Sequence, residues 1–540
     1  MFLVPTSNFS YRNTKDFISR VRDGSENLYT FVSRSQPWND DERPPNVQLS
    51  QKEERDTWDD MMLLRRILPS DIKEGIRRIP WVSGRVYDEF DDSENLDNKN
   101  FYVITEPDYD VYLCIGNNGG YESTVKPVSR QESVITEADG YKWKYMTTIS
   151  NSLINKFLIS DYIPIEEDIQ IREAASPGSI QNIQIKNSGK DYGANRTVVN
   201  SNEIPVFIEG NGVNVATATA NISTISGSIS SITLATSGSG YFFGPNVEFP
   251  VAFRQITQDG TNQTAYGTAI TNLNGEITGV RVIVPGSGYI GGLVTIIQSS
   301  AEGYAETNEE GKIVRSEIRV GREGTNFTRA TGIIVSSNGT EGNLNVVLPP
   351  KGGFGINQLR QLGTHYALIS LEVDTQDVLS LISFNEFRRL GLISNPLQFE
   401  STAFSDTTSF DSEGKLIGTP LSADTADAKS RVVLDSSNSG FVQNETIVGQ
   451  TSGTMGMNTA VFSNNTLRFT LDDSFNSELG QQFDVGETVK GLESEQTAVV
   501  NQFFRPDTQK YSGSIYHINN IKPIIREGDQ RIFVTFVLKY

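Results

Sequence analysis

The stretch Gly227-Ser-Ile-Ser-Ser-Ile-Thr-Leu-Ala-Thr-Ser-Gly-Ser-Gly-Tyr241, followed by Val247-Glu-Phe249, decides the fold of the middle of the chain. Apolar and polar residues alternate over 229–234, which predicts a β-strand. The glycines after it supply the positive φ angles of a tight turn, and Tyr241 is predicted to fold back as a local core plug. The unit is therefore a strand, a glycine-rich turn with an aromatic residue, and a second strand.

This unit recurs, so the middle of the chain is an internal repeat. Each copy opens with glycine, one variable residue and isoleucine, and three copies carry a second glycine and a tyrosine at fixed offsets. The copies open at Gly178, Gly227, Gly275 and Gly311, the second glycines are Gly189, Gly238 and Gly286, and the tyrosines are Tyr192, Tyr241 and Tyr289. In the fourth copy Phe327 lies near the tyrosine position, as expected of a degenerate terminal copy. No helix pattern follows the Gly-Ser-Gly segment, which favours a turn over a phosphate-binding loop.

A second pair of related segments lies near the C-terminus, at Phe441-Val-Gln-Asn-Glu-Thr-Ile-Val-Gly449 and Phe483-Asp-Val-Gly-Glu-Thr-Val-Lys-Gly491. They predict a small β-module whose two halves pair with each other. Glu445 and Glu487 resemble a catalytic carboxylate pair. Because both occupy the same position of a repeat, turn or strand chemistry explains them better than acid and base roles, which need different environments.

The first 80 residues carry the helical patterns. Phe17, Ile18 and Val21 share one helical face within 13–23. The segment Ser50-Gln-Lys-Glu53 is typical of a capping box, and an apolar stripe of Trp58, Met61, Met62 and Leu68 predicts a helix that continues to Pro69. A core stripe is favoured over a partner surface.

From Trp81 the apolar period changes to two. Val82, Gly84 and Val86 alternate with polar neighbours, and the runs 101–104 and 111–115 predict paired strands. Cys114 lies inside the second run and is interpreted as a buried filler, since no cationic side chain nearby in sequence would lower its pKa. The acidic run 88–94 lacks the ligand spacing of a calcium loop and is interpreted as a solvated loop.

The remaining segments are less regular. Residues 371–392 suggest mixed helix and turn, 396–427 a linker, and 513–518 and 531–538 two final strands. His517 lies within the first of these strands, and a structural role is its default interpretation.

Composition excludes several classes of function. The 540 residues carry 46 Lys plus Arg and 66 Asp plus Glu, so the formal charge is −20, which disfavours nucleic acid and anionic membranes as partners. Two histidines, His365 and His517, and the single Cys114 leave little material for zinc sites, His-based triads or disulfides. We therefore expect no metal, cofactor or catalytic residue. The N-terminal residues lack a signal-peptide pattern, and no run of apolar residues is long enough to span a membrane.

Four blocks in order carry a family resemblance. They are Phe31-Val-Ser-Arg-Ser-Gln-Pro-Trp38, Asp139-Gly-Tyr-Lys-Trp-Lys-Tyr-Met146, Phe387-Arg-Arg-Leu-Gly-Leu-Ile-Ser-Asn-Pro396, and Tyr511-Ser-Gly-Ser-Ile-Tyr516 with Lys522-Pro-Ile524 and Asp529-Gln530. Together they resemble the baseplate wedge subunit of T-even-type contractile-tailed phages, the gene-product-8 family. The resemblance covers roughly residues 1–170, 355–400 and 505–540, and it leaves both repeat regions uncovered.

The resemblance implies a non-enzymatic structural subunit of the virion tail baseplate, assembled in the host cytoplasm. It implies a homodimer that contacts other baseplate wedge proteins and proteins associated with the short tail fibres. The implied fold is mainly β (α+β), with a few N-terminal helices. The expected domains are a split wedge core (1–170, 351–428 and 505–540), an inserted β-repeat region (171–350) and a second inserted β-module (429–504).

Seven aromatic residues of the blocks and of the second helix are candidate interface or structural anchors: Trp38, Trp58, Tyr141, Trp143, Tyr145, Phe387 and Tyr516. Tyr141, Trp143 and Tyr145 alternate on one strand face, so they are either core anchors or an aromatic interface stripe. An alternative function is a receptor- or glycan-binding tail protein that uses the repeats. A carboxylate hydrolase is a third class, but no spacing singles out two acids for it.

Overall fold

The structure of the chain is a computed structural model. It describes residues 7–48, 50–92, 94–191, 203–210, 215–222, 229–236, 248–255, 264–273, 276–287, 293–297, 299, 301–308, 310, 312–323, 327–335, 339–373, 386–399, 417–436, 440–461, 465–471, 482–525 and 532–540. Strands hold 45% of the residues and helices 12%, so the predicted mainly β class is confirmed.

The described part of the chain contains five α-helices and many more strands. The helices are α1 (Ser7–Asp23), α2 (Gln51–Asp60), α3 (Asn151–Phe157), α4 (Ile169–Glu173) and α5 (Gln358–Gln361), and Pro69–Asp71 forms one 3-10 turn. The strands before the repeats are β1 (Leu28–Ser33), β2 (Met61–Arg66), β3 (Ile72–Arg77), β4 (Tyr102–Thr105), β5 (Asp110–Asn117), β6 (Ile135–Thr136), β7 (Tyr141–Thr148) and β8 (Tyr162–Pro164). No described helix is both long and apolar enough to cross a membrane.

Among the described residues, twelve strands follow in the repeat region and eleven after it. The first set is β9 (Asn182–Asn187), β10 (Glu203–Gly210), β11 (Val215–Ile222), β12 (Ile229–Thr236), β13 (Glu248–Gln255), β14 (Ala265–Thr271), β15 (Ile277–Val284), β16 (Leu293–Ile297), β17 (Ala301–Thr307), β18 (Ile313–Glu323), β19 (Ala330–Ile334) and β20 (Asn343–Val347). The second set is β21 (Tyr366–Val373), β22 (Glu386–Ser394), β23 (Thr425–Asp427), β24 (Ser430–Leu434), β25 (Thr446–Gly449), β26 (Met455–Val461), β27 (Thr466–Leu471), β28 (Thr488–Gly491), β29 (Thr497–Phe504), β30 (Ser514–Ile525) and β31 (Ile532–Lys539).

The chain forms two compact units. Unit 1 comprises Met1–Tyr11, Ile76–Ile154 and Leu158–Thr364, and unit 2 comprises Arg12–Gly75, Asn155–Phe157 and His365–Tyr540. This division differs from the three domains expected from the sequence. The expected split core is one domain, but its residues 76–154 belong to unit 1 and its residues 365–428 to unit 2. The insertion boundaries themselves stay a prediction.

In unit 1 a four-stranded sheet with the order β4-β5-β7-β6 carries the main core. The predicted pairing of the two apolar runs is confirmed, since β4 and β5 are antiparallel with Val103 opposite Tyr112. The predicted alternation around Gly84 is wrong. Val82 and Val86 are exposed, and Gly84 adopts a φ of 83° that ends an extended conformation.

The repeat region forms two six-stranded sheets with the orders β18-β17-β10-β19-β20-β9 and β12-β11-β16-β13-β14-β15. Its twelve strands divide into two halves, β9–β14 and β15–β20. Strand n of the first half corresponds to strand n + 6 of the second, so that β9 corresponds to β15 and β10 to β16. When each strand is replaced by its counterpart, one sheet order becomes the other, so the two sheets have the same topology. Each sheet also contains strands of both halves, since β10 lies in the first sheet and β16 in the second.

Three of the four Gly-X-Ile triplets begin a strand as predicted, since β12, β15 and β18 start at Ile229, Ile277 and Ile313. In the first copy β9 starts at Asn182, two residues after Ile180. The turns before two of these strands use the same hydrogen bonds. The Asn272 side chain accepts from the Glu276 N–H at 3.0 Å, and Asn308, one repeat later, accepts from the Lys312 N–H at 2.9 Å. Tyr192, Tyr241 and Tyr289 lie outside the described residues, whereas Phe327 is buried in the core beneath the first sheet.

In unit 2 the sheet order is β23-β2-β1-β22-β30, and β21 pairs with β31 and with β3. The predicted face of α1 is confirmed, as Phe17, Ile18 and Val21 are buried in the unit 2 core. The Ser50 cap is also confirmed, since its side chain accepts from the Glu53 N–H.

The predicted extension of α2 is wrong, because the helix ends at Asp60 and Met61-Met-Leu-Leu64 continues as the buried strand β2. Pairing with β1 and β23 overrides the helical period, since a continuous apolar run suits a central strand. The helix and turn pattern at 371–392 is likewise wrong where it is described, since β21 and β22 occupy its ends.

The second small module is a closed barrel with the strand order β24-β27-β26-β25-β28-β29. Its predicted internal pairing is confirmed, because β25 and β28 are antiparallel neighbours with Val448 opposite Lys490. Two aromatic side chains fill the centre, with the Phe469 and Phe483 ring centroids 4.8 Å apart.

Candidate functional site

Three of the four blocks that carry the resemblance become neighbouring strands of unit 2. The first block begins in the last three residues of β1, the third forms most of β22, and the fourth leads into β30. In the sheet, β22 lies between β1 and β30. Phe31 is opposite Gly391, and Leu392 is opposite His517. A Cβ atom on Gly391 would overlap the Phe31 ring, so this position of the third block needs glycine.

Trp38, at the end of the first block, joins all three strands. The Arg34 guanidinium lies 4.0 Å from the centre of the Trp38 ring and the Arg389 guanidinium 5.6 Å from it, both within range of cation–π attraction. The indole N–H donates to the Ile521 carbonyl of β30 at 3.1 Å. The side chain is half-buried and leaves part of its ring at the surface.

The two arginines of the third block are buried, and both form hydrogen bonds and ion pairs. Arg388 donates two parallel hydrogen bonds to the Asp41 carboxylate at 2.9 and 2.8 Å. The hydrogen bond from Arg388 is the main cause that lowers the pKa of Asp41. Arg389 donates to Thr57 Oγ1 at 2.7 Å and forms an ion pair with Glu53, so the cap of α2 is tied to β22. Such bidentate and networked arginines fix geometry as well as charge.

The remaining anchors of unit 2 divide by exposure. Trp58 and Phe387 are buried in the cores on either side of the five-stranded sheet. Tyr516 is exposed, and its ring centroid lies 6.1 Å from that of Phe17. Trp38 and Tyr516 are therefore the predicted anchors of this unit that a partner can reach.

In unit 1 the alternatives for the second block are resolved in favour of core anchors. Tyr141, Trp143 and Tyr145 are all buried in the main core. The Tyr141 and Trp143 rings stack at 5.4 Å, and Tyr87 meets Trp143 edge-on at 5.7 Å. They are not an exposed stripe. The alternate residues, Lys142 and Lys144, lie on the other face of β7.

Glu445 and Glu487 of the barrel have the same structural role. Glu445 is buried and accepts hydrogen bonds from the Ser494 N–H at 3.0 Å and the Ser494 hydroxyl at 2.8 Å. Glu487 accepts from the Ser452 N–H at 3.0 Å and the Ser452 hydroxyl at 2.9 Å. Because both environments are alike, the pair does not offer one acid and one base.

The environments of the other polar candidates indicate structural roles. Cys114 is fully buried, and burial raises the pKa of its thiol well above the ordinary value. Burial lowers the pKa of His517, whose ring meets Phe536 edge-on. In the acidic loop, Asp88 and Glu89 accept backbone N–H groups of Asn100 and Asn117. Among the described residues, no three His, Cys, Asp or Glu side chains form a group that could hold a metal ion.

Several cationic side chains are buried although no sequence pattern predicts their burial. Arg388, Arg389, Lys144, Lys429 and Arg468 are all nearly inaccessible to solvent. Each lies on or beside a strand where charged residues ordinarily face water. Arg388, Arg389, Lys429 and Arg468 have partners distant along the chain, whereas Lys144 donates to a nearby backbone carbonyl. Neither family models nor curated proteins yielded a match to this chain.

Proposed function

We propose that the chain is a structural subunit of a contractile-tail baseplate wedge, which acts through protein–protein contacts and takes part in rearrangement of the baseplate when the sheath contracts. One observation carries the proposal. The blocks at 31–38, 387–396 and 511–516, which are distant along the sequence and resemble the wedge family, each contribute residues to adjacent strands of one sheet. Strands that pair in one sheet constrain each other's residues. The three blocks therefore resemble the wedge family as parts of one structural element.

The cluster around Trp38 supports a role in assembly. Arg34, Arg388 and Arg389 are held by Asp60, Asp41 and Glu53, so the surface around the half-buried indole is rigid before any partner arrives. Tryptophan and arginine are the residues most often found at the energetic centres of protein interfaces. A preformed surface lowers the conformational entropy lost on assembly.

The partners under this proposal are a second copy of the chain, other wedge proteins and proteins associated with the short tail fibres. The formal charge of −20 keeps free subunits apart until their partners are present. The barrel and the two repeat sheets then extend the subunit or brace its neighbours. The structure offers no separate observation in favour of glycan binding, because the repeat tyrosines lie outside the described residues.

Virion analysis tests the proposal directly. Mass spectrometry of purified particles should find the chain, and deletion of its gene should leave heads without complete contractile tails. Complementation with the wild-type gene should restore tails, whereas Trp38→Ala should restore fewer. Particles that lack the protein, or intact infectious tails after the deletion, would refute the proposal.

Solution mass tests the expected homodimer separately. Analytical ultracentrifugation of the purified chain should give a mass twice the 59.6 kDa of one copy. A monomer at micromolar concentration would remove the dimer from the proposal and leave the virion role to the first experiment.

A further inference from the structure

A cavity of about 1000 Å³ opens within unit 1 beside the outer face of β7. Its walls come from the segment that precedes β7, from β7 itself, from α4 and from β18. The volume is that of a pocket for a small organic molecule. None of the roles assigned above uses this cavity.

The alternation of β7 determines which side chains reach the cavity. Tyr141 and Trp143 point into the core, whereas Lys142 and Lys144 on the opposite face line the cavity, as does Tyr145 further along the strand. Lys142 Nζ lies 3.8 Å from Glu317 Oε1 on β18. That carboxylate also accepts a hydrogen bond from the Tyr304 hydroxyl at 2.7 Å. Lys142 therefore has a charged partner.

Lys144 differs from its neighbour. It is 4% exposed, and its amine donates to the backbone carbonyl of Glu132, a neutral acceptor. Across the described ranges no carboxylate forms an ion pair with it. Burial lowers the pKa of Lys144 to about 8, against a weaker opposing effect of the Glu132 charge. A buried ammonium without an ionic partner is costly, and an anion placed beside it removes much of that cost.

The rest of the lining is suited to a polar ligand. Arg130 stands at the rim and forms an ion pair with Asp110 at 2.9 Å. Hydroxyl and carboxamide side chains supply neutral donors and acceptors around the cavity: Ser133, Thr136, Gln170, Ser179 and Gln181. Asp168 also lines it, but its carboxylate caps α4 through the N–H groups of Gln170 and Ile171.

We propose that this cavity binds a small anionic molecule, with a carboxylate or phosphate group of the ligand against Lys144 and its neutral part among the surrounding hydroxyls and carboxamides. The binding is independent of the baseplate role. It concerns a cavity within one unit and not an assembly surface.

Calorimetric titration of the full chain tests the site with two probes, inorganic phosphate and succinate, at low ionic strength. At least one should bind saturably at a single site, and the tighter probe identifies the preferred anion. Lys144→Met should weaken binding about tenfold or more, as expected for loss of a charge-assisted hydrogen bond. Lys144→Arg should retain most of the affinity. Lys126→Met is the matched control, because Lys126 also donates to a backbone carbonyl, that of Glu106 at 2.7 Å, but lies outside the cavity.

Amine labelling of the wild type gives a second measurement that needs no variant. Acylation followed by mass spectrometry should show that the bound probe protects Lys144 and leaves Lys126 unprotected. The proposal is overturned if the wild type binds neither probe saturably, if Lys144→Met binds as tightly as the wild type, or if Lys144 is not protected.

Discussion

Glu445 and Glu487 hold each other's halves of the barrel together. Each carboxylate follows a positive-φ residue, Asn444 or Gly486, and each reaches across to the serine turn of the opposite half. The glycines that end the two segments belong to the same arrangement. A Cβ atom on Gly449 would lie 2.6 Å from Glu487 Oε2, and one on Gly491 would overlap Glu445 Oε2. The Glu-Thr-X-X-Gly pattern is thus a pair of reciprocal clamps.

Each carboxylate also accepts an N–H of its own half, from Val442 or Asp484, so the clamps predict that damage extends to the half that was not mutated. Glu445→Gln should destabilise the turn at 492–494, and Glu487→Gln the turn at 451–453, each by roughly 1–3 kcal/mol because a buried carboxylate that accepts backbone N–H groups is replaced by an amide. Hydrogen-exchange mass spectrometry of the full chain measures this. Glu493→Gln, at an exposed side chain, should change neither turn. Faster exchange confined to the mutated half would contradict the reciprocal arrangement.

The Trp38 cluster predicts a measurable coupling between its ring and Arg34. A double-mutant cycle of Trp38→Leu and Arg34→Met should give an interaction free energy of roughly 0.5–2 kcal/mol, since the guanidinium lies 4.0 Å from the ring centre. Denaturant unfolding monitors the cycle. The same cycle with Lys52, which is far more exposed on α2, should give additive changes. Additivity between Trp38 and Arg34 would show that their contact contributes nothing.

Lys429 predicts a pH dependence of stability. Its amine donates to the Asp59 carbonyl and the Thr470 hydroxyl, and burial lowers its pKa from 10.5 to about 7. Between these pH values the unfolded chain binds the proton and the folded chain does not, so the free energy of unfolding rises as pH rises from about 7 toward 10.5. The slope contributed by this one group approaches roughly 1.4 kcal/mol per pH unit at most.

Lys429→Met should remove that part of the slope, and denaturant unfolding at pH 7 and pH 9 measures it. Lys52→Met is the control, because it makes the same substitution at an exposed lysine. It should leave the slope as it is in the wild type. Equal slopes in wild type and Lys429→Met would mean that Lys429 keeps an ordinary pKa in the folded chain.

The second block predicts a large effect of core truncation. Trp143→Ala should destabilise unit 1 by roughly 3–5 kcal/mol, because the ring is fully buried between Tyr141 and Tyr87. Tyr516→Ala, at an exposed ring, should cost far less. Thermal unfolding followed by near-ultraviolet circular dichroism measures both. Similar losses for the two variants would be inconsistent with the burial described above.

The sequence predicts those features of the fold that depend on local pattern. The strand starts at Ile229, Ile277 and Ile313 follow from repeated triplets, and the N-cap at Ser50 follows from local side-chain chemistry. Met61 and Met62 fit a helix when only their neighbours along the chain are considered. Their strand depends on pairing with β1 and β23, and the second of these lies far away in sequence.

The candidate site is predictable only in part. The aromatic anchors stand out by residue type, but the arginines and lysines beside them do not. Arg389 needs Glu53 and Lys429 needs Asp59, and each pair is separated by more than three hundred residues. A buried cation is recognised from its partner, and the partner becomes visible only when the chain is folded.

The exchange of β9 and β10 for β15 and β16 between the two repeat sheets has a consequence for how the protein is made. In the first sheet the edge strand β9 pairs with β20. During synthesis β9 therefore has no neighbour until the chain has reached residue 347. Contacts of such long sequence separation form slowly and leave strand edges exposed meanwhile. The two halves are the single-chain counterpart of a domain-swapped dimer. Neither can be deleted or transplanted alone, because each half completes its partner's sheet.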